Sequence, residues 1–399
     1  MREVKKEMLP PYLFAMMERF SSAEEEVYLV GGSLRDLLLG LFPHDYDLAT
    51  SASPERTAAL FADCRVIKTG IRHGTVTVLY ENHPVEITTF RLDGSYGDSR
   101  HPDSVTFTKR VAEDLSRRDF TVNAMAYHPS VGVVDPFGGK KDLEKGLLRA
   151  VGDPFRRLSE DALRIMRAYR FSAQLGFSLE KNTERACRES KDQLTHIAKE
   201  RISSEFLRLL SAKAPSYALR SMKADGILPY VTGQYQPREE VLTLMDQLPQ
   251  EGAARLGFYF SDTDCDTVQK LTEAMRLSNA LRVSACAVVR GCKRSVQGPA
   301  DARRLIALCG THALDAAAAS VLLGNSPIDA VEWVRSQRAP CTRAELAISG
   351  RDLQGLGFRG RELGRALERL MEQVLEEPSL NQRDTLLAIA KGIKSGEKS

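Results

Sequence analysis

The sequence lacks the cysteine pattern of a disulfide-stabilised or zinc-binding protein. Its 7 cysteines form no C-x-x-C pair and have no histidines at metal-ligand spacing. Scattered thiols in odd number are typical of a reducing compartment. The sequence also lacks an apolar run of membrane-spanning length, and segment 1–7 has no apolar signal core. We therefore expect a cytoplasmic protein with no membrane partner.

A strong excess of one charge is also missing. The 56 basic and 53 acidic residues leave a net charge of +3, which argues against a histone-like or tail-like binder. There is no fixed-period repeat and no low-complexity tract. A chain of 399 residues is long enough for more than one hydrophobic core, so we expect two to four modules.

Two aspartates, Asp45 and Asp47, follow a short apolar strand, the turn Gly31-Gly32 and the start of a helix. Strand residues at i and i+2 point to the same side, so we expect both carboxylates to face one site, where a divalent cation relieves their repulsion. A glycine turn before a helix leaves backbone N–H groups free to bind an anion. A phosphate cradle beside a metal-binding acidic pair indicates phosphoryl or nucleotidyl transfer.

Each of these features has a simpler interpretation when it is taken alone. A D-x-D pair is usually a solvated turn, and Gly-Gly is usually only a turn. The order strand, Gly-Gly, helix and D-x-D favours the functional interpretation. Glu86, on a predicted strand from Val85 to Phe90, faces away from Val85 and Ile87. It is either a third acidic group of the site or a glutamate that faces solvent.

The segment from Arg117 to Ala124 has the side chains that a nucleotide site needs. Arginine forks match phosphate oxygens, and Asp119 and Asn123 can bind ribose hydroxyls. A charged surface turn is the alternative interpretation of this segment.

The segment from Ser159 to Arg170 predicts a helix, with Ser159 as its N-cap and Gly176 as its end. Acidic residues in the first turn and arginines on a solvated face explain its composition without any function. However, Asp161 and Arg164 are three residues apart, so we expect both to project from one side of the helix. An Asp acceptor beside an Arg donor can imitate a Watson–Crick edge that accepts C and A. Uracil and guanine would leave desolvated polar groups unpaired, at about 1–3 kcal/mol each.

The order of elements changes along the chain. The first third alternates strands and helices, with Arg91 to Asp103 as a predicted mobile loop, and from about Ser159 onward the periodicity is helical. Arg201 to Leu210 and Glu362 to Leu375 are clear examples of helical spacing.

Several motifs together resemble the class II CCA-adding enzymes (tRNA nucleotidyltransferases), a family that includes bacterial poly(A) polymerases. They are YLVGGSLRDLLLG with HDYDLATSASPE, then VEITTFR, RRDFTVNAMAY, DPFGGKKDLEKGLLRAVGDP, EDALRIMRAYRFSAQLGF and ERISSEFLRLL, and finally ISGRDLQGLG with GRELGRALERLMEQVLEEP. The match extends over nearly the whole chain, in the family's order.

This resemblance implies an α+β fold: an N-terminal mixed or antiparallel nucleotidyltransferase sheet with helices, followed by an all-α region. It implies a catalytic head at 1–145, a helical neck that selects the base at 146–212, a helical body at 213–300 and a helical, tRNA-binding tail at 301–399. Arg91 to Asp103 corresponds to the family's flexible loop, which matters for adding the final A.

The resemblance also implies roles for individual residues. Asp45 and Asp47 would hold magnesium as catalytic acids, and Glu86 is added to them as a candidate from its strand position alone, as given above. The residues expected to bind the nucleotide are Gly31, Gly32, Arg35, Arg118, Asp119, Asn123, Asp161, Arg164, Arg167 and Arg170, with Asp161 and Arg164 reading the base. In the tail, Arg351, Arg359, Arg361, Arg365 and Arg369 are dense enough for contacts to the tRNA backbone, although a solvated basic helix is the alternative.

The expected substrates are tRNA, through its acceptor stem and elbow, with CTP and ATP. The expected reaction adds C, C and A in turn and releases pyrophosphate. Alternatives are an enzyme that adds only the cytidines or only the adenosine, and a catalytically inactive RNA-binding protein. Val66 to Gly70 stands where the poly(A) polymerase branch carries an Arg-Arg-Phe stretch, which argues against that branch. The His-Asp motif of longer relatives is missing, so we expect no phosphatase activity. The oligomeric state, monomer or homodimer, stays open.

Overall fold

The computed structural model describes residues 2–94 and 105–396. The chain forms two compact units. The first contains Met1–Leu209 and Tyr217–Val231, and the second contains Leu210–Ser216 and Thr232–Ser399. The finer division into head, neck, body and tail stays a prediction.

The first unit is built on a mixed sheet. The strands are β1 Val27–Val30, β2 Asp47–Thr50, β3 Arg65–Ile67, β4 Thr75–Tyr80, β5 His83–Thr89, β6 Arg91–Asp93, β7 Val105–Phe107, β8 Ala126–His128, β9 Gly132–Val134, β10 Leu147–Leu148 and β11 Ser178–Leu179. The main sheet has the order β3-β4-β5-β2-β1-β8-β9, and β6 with β7 and β10 with β11 form separate pairs. Within the main sheet only β2 and β5 run parallel among the described residues. The expected mixed sheet is therefore confirmed.

The helices from the amino terminus to the last crossing between the units are α1 Pro11–Ser22, α2 Gly32–Leu39, α3 Pro54–Leu60, α4 Val111–Ser116, α5 Gly139–Lys145, α6 Pro154–Glu160, α7 Leu163–Leu175, α8 Lys181–Glu189, α9 Lys199–Leu210, α10 Pro215–Ala224 and α11 Leu228–Thr232. The unit boundaries fall within α9, α10 and α11 or at their ends. The second unit contains α12 Glu239–Leu244, α13 Gly252–Tyr259, α14 Cys265–Ala274, α15 Asn279–Gly291, α16 Pro299–Cys309, α17 Ala313–Leu322, α18 Ala330–Ser336, α19 Gly350–Gly355, α20 Gly360–Glu376 and α21 Arg383–Gly396. The predicted helical carboxyl region is confirmed.

Alternating side chains fix the face of the sheet that can carry a site. In β4, Val76 and Val78 are buried while Thr75 and Thr77 are only partly buried. In the neighbouring β5, Val85 and Ile87 are buried in the same way. Because side chains alternate along a strand, the polar residues of both strands share the opposite face.

The chain around Asp161 departs from the predicted helix. α6 begins at Pro154, where the Asp153 side chain accepts a hydrogen bond from Arg156 N, so Ser159 lies inside this helix and is not an N-cap. Asp161 has an extended backbone (φ −146°, ψ 102°), and its side chain accepts from Leu163 N at 3.0 Å. The second helix therefore starts only after Asp161. It ends at Gly176, as predicted, with φ 70°.

The predicted loop from Arg91 to Asp103 is described only at its start. Arg91–Asp93 forms β6 and pairs with β7, so this part is a strand. The remainder of the loop lies outside the described residues.

One stretch of the described chain, Pro299–Leu322, is long and apolar enough to cross a membrane by length and composition alone. This is weak evidence, because a core helix of a globular protein passes the same test. Here the stretch is divided by a short turn at Gly310–His312, and Ala302, Leu305 and Ala316 belong to the packed core of the second unit.

Candidate active site

A cavity of about 430 Å³ lies in the first unit, beside the end of β1. We call it the nucleotide cavity. Its lining residues are Gly31, Gly32, Arg35, Asp47, Arg117, Arg118, Asp119, Asn123, Asp161, Leu163, Arg164, Arg167, Phe171 and Arg201. Most of the residues predicted to form the site are thus brought together. Asp45, Glu86 and Arg170 are not part of this lining.

Gly31 makes the sharp turn between β1 and α2. Its backbone has φ 76° and ψ −141°, a conformation that side chains with a Cβ rarely adopt. A Cβ on Gly31 would lie 3.1 Å from Arg118 Nη1. Since Gly31 is the N-cap and has no side chain, the first N–H groups of α2 remain available to an anion from the cavity.

Asp47 and Glu86 are direct neighbours in the parallel pairing of β2 with β5. Asp45 lies in a bend before β2. The pairing of β2 with β1 ends at Asp47 and Val30, because the chain turns away from β1 at Gly31. The prediction that Asp45 and Asp47 occupy one extended segment is therefore wrong. The two still interact electrostatically.

The pKa of Asp47 is raised above its ordinary value. The main cause is desolvation, because neighbouring protein displaces water from around the carboxylate, although part of the residue stays exposed. The negative charges of Glu86 and Asp45 raise the pKa further. Arg118 acts in the opposite direction. Neighbouring carboxylates repel one another when they are ionised, and a bound cation would relieve that repulsion. Mg²⁺ suits such a site, because it binds carboxylate oxygens.

Among residues 2–94 and 105–396, no group of three or more His, Cys, Asp and Glu side chains is arranged to hold a metal ion. The protein alone thus offers an incomplete ligand set. A bound ion would need further oxygens from the substrate or from water.

A chain of hydrogen bonds organises the wall opposite Asp47. Arg167 donates to Asp119 Oδ2 from Nε at 2.9 Å and from Nη2 at 2.6 Å. Asp119 Oδ1 accepts from Asn123, whose own carbonyl oxygen accepts from Arg35 Nη1 at 2.8 Å. Burial would raise the pKa of Asp119, but the charge and hydrogen bonds of Arg167 and the hydrogen bond from Asn123 lower it to about 2. Both predicted ribose contacts thus also hold arginines in place.

Arg117 and Arg118 are held by Asp114, which is 0% exposed. Asp114 Oδ1 accepts from Arg117 Nε at 3.0 Å and Nη2 at 2.8 Å, and Oδ2 accepts from Arg118 Nη2 at 3.3 Å. Burial opposes ionisation, yet the two guanidinium groups lower the pKa of Asp114 overall. The sequence analysis did not identify Asp114, because a carboxylate in a short helix with basic neighbours looks like a surface residue.

Asp161 and Arg164 both line the nucleotide cavity, but they do not share one helix face as predicted. Asp161 precedes α7 and accepts from Arg201 Nη2 at 3.1 Å. Arg164 lies within α7, where Nη1 donates to Arg157 O and to Glu160 Oε2, both at 2.7 Å, and Nη2 donates to Arg117 O at 3.1 Å. Of the five donors of a guanidinium, these bonds leave Nε–H and one Nη2 proton for a ligand.

Arg170 does not line the nucleotide cavity. It is buried, donates to Glu205 Oε2 at 2.5 Å and lies 3.9 Å from the ring centroid of Phe171. The same ring is within 5.3 Å of the Arg35 guanidinium and 5.2 Å of that of Arg167. Phe171 therefore serves as an apolar base for three arginines.

Sequence reasoning missed four residues of the lining as site members: Arg117, Leu163, Phe171 and Arg201. Arg117 stood inside a recognised segment, and its proximity to Arg118 was a usable signal. Nothing in the sequence placed Arg201 against Asp161, since the two are 40 residues apart.

Comparisons with known proteins show the family to which the chain belongs. Residues 27–149 match the family model described as "Poly A polymerase head domain", and residues 176–235 match "Probable RNA and SrmB- binding site of polymerase A". The chain is 36% identical to a CCA-adding enzyme of Lactobacillus helveticus, over 96% of this chain and 98% of that one. It is also 36% identical to one from Limosilactobacillus fermentum, over 94% and 95%.

Solved structures give the same result. The crystal structure of the Bacillus stearothermophilus CCA-adding enzyme in complex with CTP is 29% identical to this chain, with a TM-score of 0.82 and coverage of 98% and 99%. The Thermotoga maritima CCA-adding enzyme complexed with tRNA shares the fold, with a TM-score of 0.68 at 20% identity.

The glycine turn, the paired acids and the arginine-lined cavity on a mixed sheet define a nucleotidyltransferase. Enzymes of this class use a divalent metal ion in general. The chain belongs to the family of CCA-adding enzymes.

Proposed function

We propose that this protein adds C, C and A to the 3′ end of tRNA without a template, using CTP and ATP and releasing pyrophosphate. The nucleotide cavity is the observation that supports this proposal most strongly. Its lining combines the glycine turn before α2, the carboxylate of Asp47 at the start of β2 and a row of arginines. A protein that only bound RNA would need no such acidic edge. As an enzyme that acts on tRNA, it would work in the cytoplasm.

The cavity offers three kinds of contact to a nucleoside triphosphate. Gly32 at the start of α2 and the side chains of Arg35 and Arg118 line the cavity, where their N–H groups would bind the phosphates. Asn123 keeps one acceptor position and one amide proton for the ribose. Each oxygen of Asp119 already accepts two hydrogen bonds, so Asp119 would act by orienting Asn123 and Arg167. The base would then lie towards Asp161 and Arg164.

Asp45 and Asp47 would hold magnesium, with substrate phosphate oxygens completing the ligand set. When bound, the ion would lower the pKa of the attacking hydroxyl and neutralise charge on the triphosphate. The like charges of Glu86 and Asp45 around Asp47 support this assignment.

In the reaction, the 3′ oxygen of the RNA forms a bond to the α-phosphorus of CTP or ATP. The bond from that phosphorus to its bridging oxygen breaks, and pyrophosphate leaves in line. The hydroxyl proton passes to Glu86, which is exposed and can release it to water. Positioning and charge neutralisation provide most of the rate, and no covalent enzyme intermediate is needed.

Base selection follows from the two donors left on Arg164 and the remaining acceptor positions of Asp161. Cytosine and adenine present an amine to donate to Asp161 and ring acceptors for Arg164. Uracil and guanine present a carbonyl and a ring N–H instead, which oppose both groups.

One assay tests the function. A tRNA that lacks its CCA end is incubated with each radiolabelled nucleoside triphosphate singly and together, and the product is sized. CTP alone should add cytidines, and CTP with ATP should complete CCA. Addition of only cytidines, or of adenosine only to an acceptor already ending in CC, would indicate the specialised enzymes. A long adenosine tail would indicate a poly(A) polymerase.

A further inference from the structure

A second cavity of about 250 Å³ also borders Asp47. We call it the acceptor cavity. Asp47, Arg117 and Arg118 line both cavities, whereas Glu86, Thr75 and Thr88 line only the acceptor cavity. The two cavities therefore meet at the carboxylate on which the chemistry depends.

In-line displacement places the attacking and leaving groups on opposite sides of the phosphorus. If the triphosphate occupies the nucleotide cavity, the 3′ end of the RNA needs a separate approach to the same carboxylate. The acceptor cavity offers one, because it shares Asp47, Arg117 and Arg118 with the nucleotide cavity and is otherwise lined by different residues. Its polar walls suit a ribose and its phosphate better than an apolar ligand.

Two threonines form a small polar unit in the wall of the acceptor cavity. Thr75 of β4 and Thr88 of β5 are directly paired, and their hydroxyl oxygens lie 3.0 Å apart. Whichever hydroxyl donates to the other, its partner keeps its own proton to donate into the cavity. Thr88 follows Glu86 by two residues on β5, so both side chains emerge from the same face of the sheet as Asp47.

A ribose 2′-hydroxyl is both donor and acceptor, and it is the group that distinguishes an RNA end from a DNA end. The hydroxyl pair offers the complementary donor and acceptor. We propose that the acceptor cavity holds the 3′-terminal nucleotide of the RNA and that the Thr75–Thr88 pair recognises its 2′-hydroxyl. This inference depends on the function proposed above, because it names the position of the RNA in the same reaction.

The test compares two acceptors that differ in one atom. One tRNA lacking CCA ends in a ribonucleotide, and the other ends in the 2′-deoxy nucleotide, which keeps the attacking 3′-hydroxyl. The wild-type protein should prefer the ribose end in kcat/KM for the acceptor by about 3–10-fold, the value of about one net hydrogen bond. The double variant Thr75→Val, Thr88→Val should use both acceptors equally, at the wild-type rate for the deoxy end, with KM for CTP unchanged.

Thr77→Val is the matched control, because Thr77 lies on the same face of β4 but lines neither cavity. It should keep the preference for ribose. Thr88→Ser, which restores the hydroxyl, should keep it too. Equal use of both acceptors by the wild-type protein, or an unchanged preference in the double valine variant, would overturn the inference while leaving CCA addition intact. A wild-type protein that extends neither acceptor would instead reject the proposed function, and the inference with it.

Discussion

Arg167 and Asp119 form a two-pronged ion pair in which both side-on donors of the guanidinium meet a single carboxylate oxygen, at 2.9 and 2.6 Å. One partner comes from α7 and the other from the segment before β8. The pair thus ties the helix that carries Arg164 to the wall that carries Arg118. Loss of this link should affect both the stability and the nucleotide affinity of the first unit.

Asp119→Asn tests that link. The amide keeps the shape but removes the charge, which leaves Arg167 without its counter-ion, and we expect a loss of about 1–3 kcal/mol of unfolding free energy. Denaturant unfolding followed by circular dichroism measures it. Asp63→Asn is the control, because Asp63 pairs with Arg19 on the exposed surface, and it should change stability much less than Asp119→Asn does. Equal effects of the two substitutions would contradict the role given to Asp119.

The same pair predicts a pH dependence. The pKa of Asp119 is lowered from 3.8 to about 2, so its contribution to stability is fully present above pH 3.8. The contribution is lost as the pH falls through about 2, where the folded protein also takes up the proton. The stability difference between the wild-type protein and Asp119→Asn should be constant near neutral pH and should shrink towards pH 2. A difference that persists unchanged at pH 2 would show that charge is not its source.

Gly31→Ala should abolish detectable incorporation of CMP. The substitution forces a side chain into φ 76° and places its Cβ 3.1 Å from Arg118 Nη1, which disturbs the start of α2 and an arginine of the cavity together. Gly132→Ala shares the backbone strain, at φ 83°, but has nothing within 4 Å of its Cβ. The two variants should lose similar stability, of about 1–2 kcal/mol. Only Gly31→Ala should lose affinity for CTP in calorimetry, and a parallel loss in Gly132→Ala would refute the assignment.

Substitutions at the base-reading pair should change selectivity more than rate. Arg164→Ala removes the donors that face the base, and Asp161→Glu moves the acceptor, so the preference for C and A over U and G should fall by about tenfold or more. Competition between CTP and UTP on a tRNA lacking CCA measures the ratio. An unchanged ratio in both variants would remove the base-reading role from these residues.

Contact between the tail and tRNA predicts a steep salt dependence of binding. Arg361 and Arg365 are exposed on α20. Changing both to alanine should weaken tRNA binding and reduce the slope of log K against log salt by about 1 for each lost phosphate contact. Arg335→Ala, at an exposed pair with Glu332, serves as the control. An identical slope in all three proteins would place the RNA elsewhere.

Local order could be predicted from the sequence where one residue type determines it. The turn at Gly31, the alternation in β4 and the stop at Gly176 all follow from backbone conformation or period, and each is present. The prediction of one continuous helix through Asp161 was wrong. Asp161 follows the last residue of α6, and its side chain accepts a hydrogen bond from the first residue of α7. Periodicity alone does not reveal such a break.

The cavity could be anticipated only in part, because distant segments complete it. Arg201 reaches Asp161 through a contact that no local pattern encodes. Asp114 is only three and four residues from Arg117 and Arg118, but the sequence does not reveal that it is buried beneath them. Arg170 had the same spacing as the site arginines, yet Glu205 on α9 draws it into the core. Spacing on a helix defines a face, and the neighbouring helix decides what that face meets.

Nucleotide transfer by this protein should depend on the carboxylate of Asp47. The most direct measurement is single-turnover incorporation of labelled CMP and AMP into a tRNA lacking CCA, by the wild-type protein and by Asp47→Asn. The wild-type protein should complete the CCA end. Asp47→Asn should fold, bind tRNA with normal affinity and incorporate at least a thousandfold more slowly, roughly 4 kcal/mol in barrier height. Incorporation by Asp47→Asn at the wild-type rate would contradict the account.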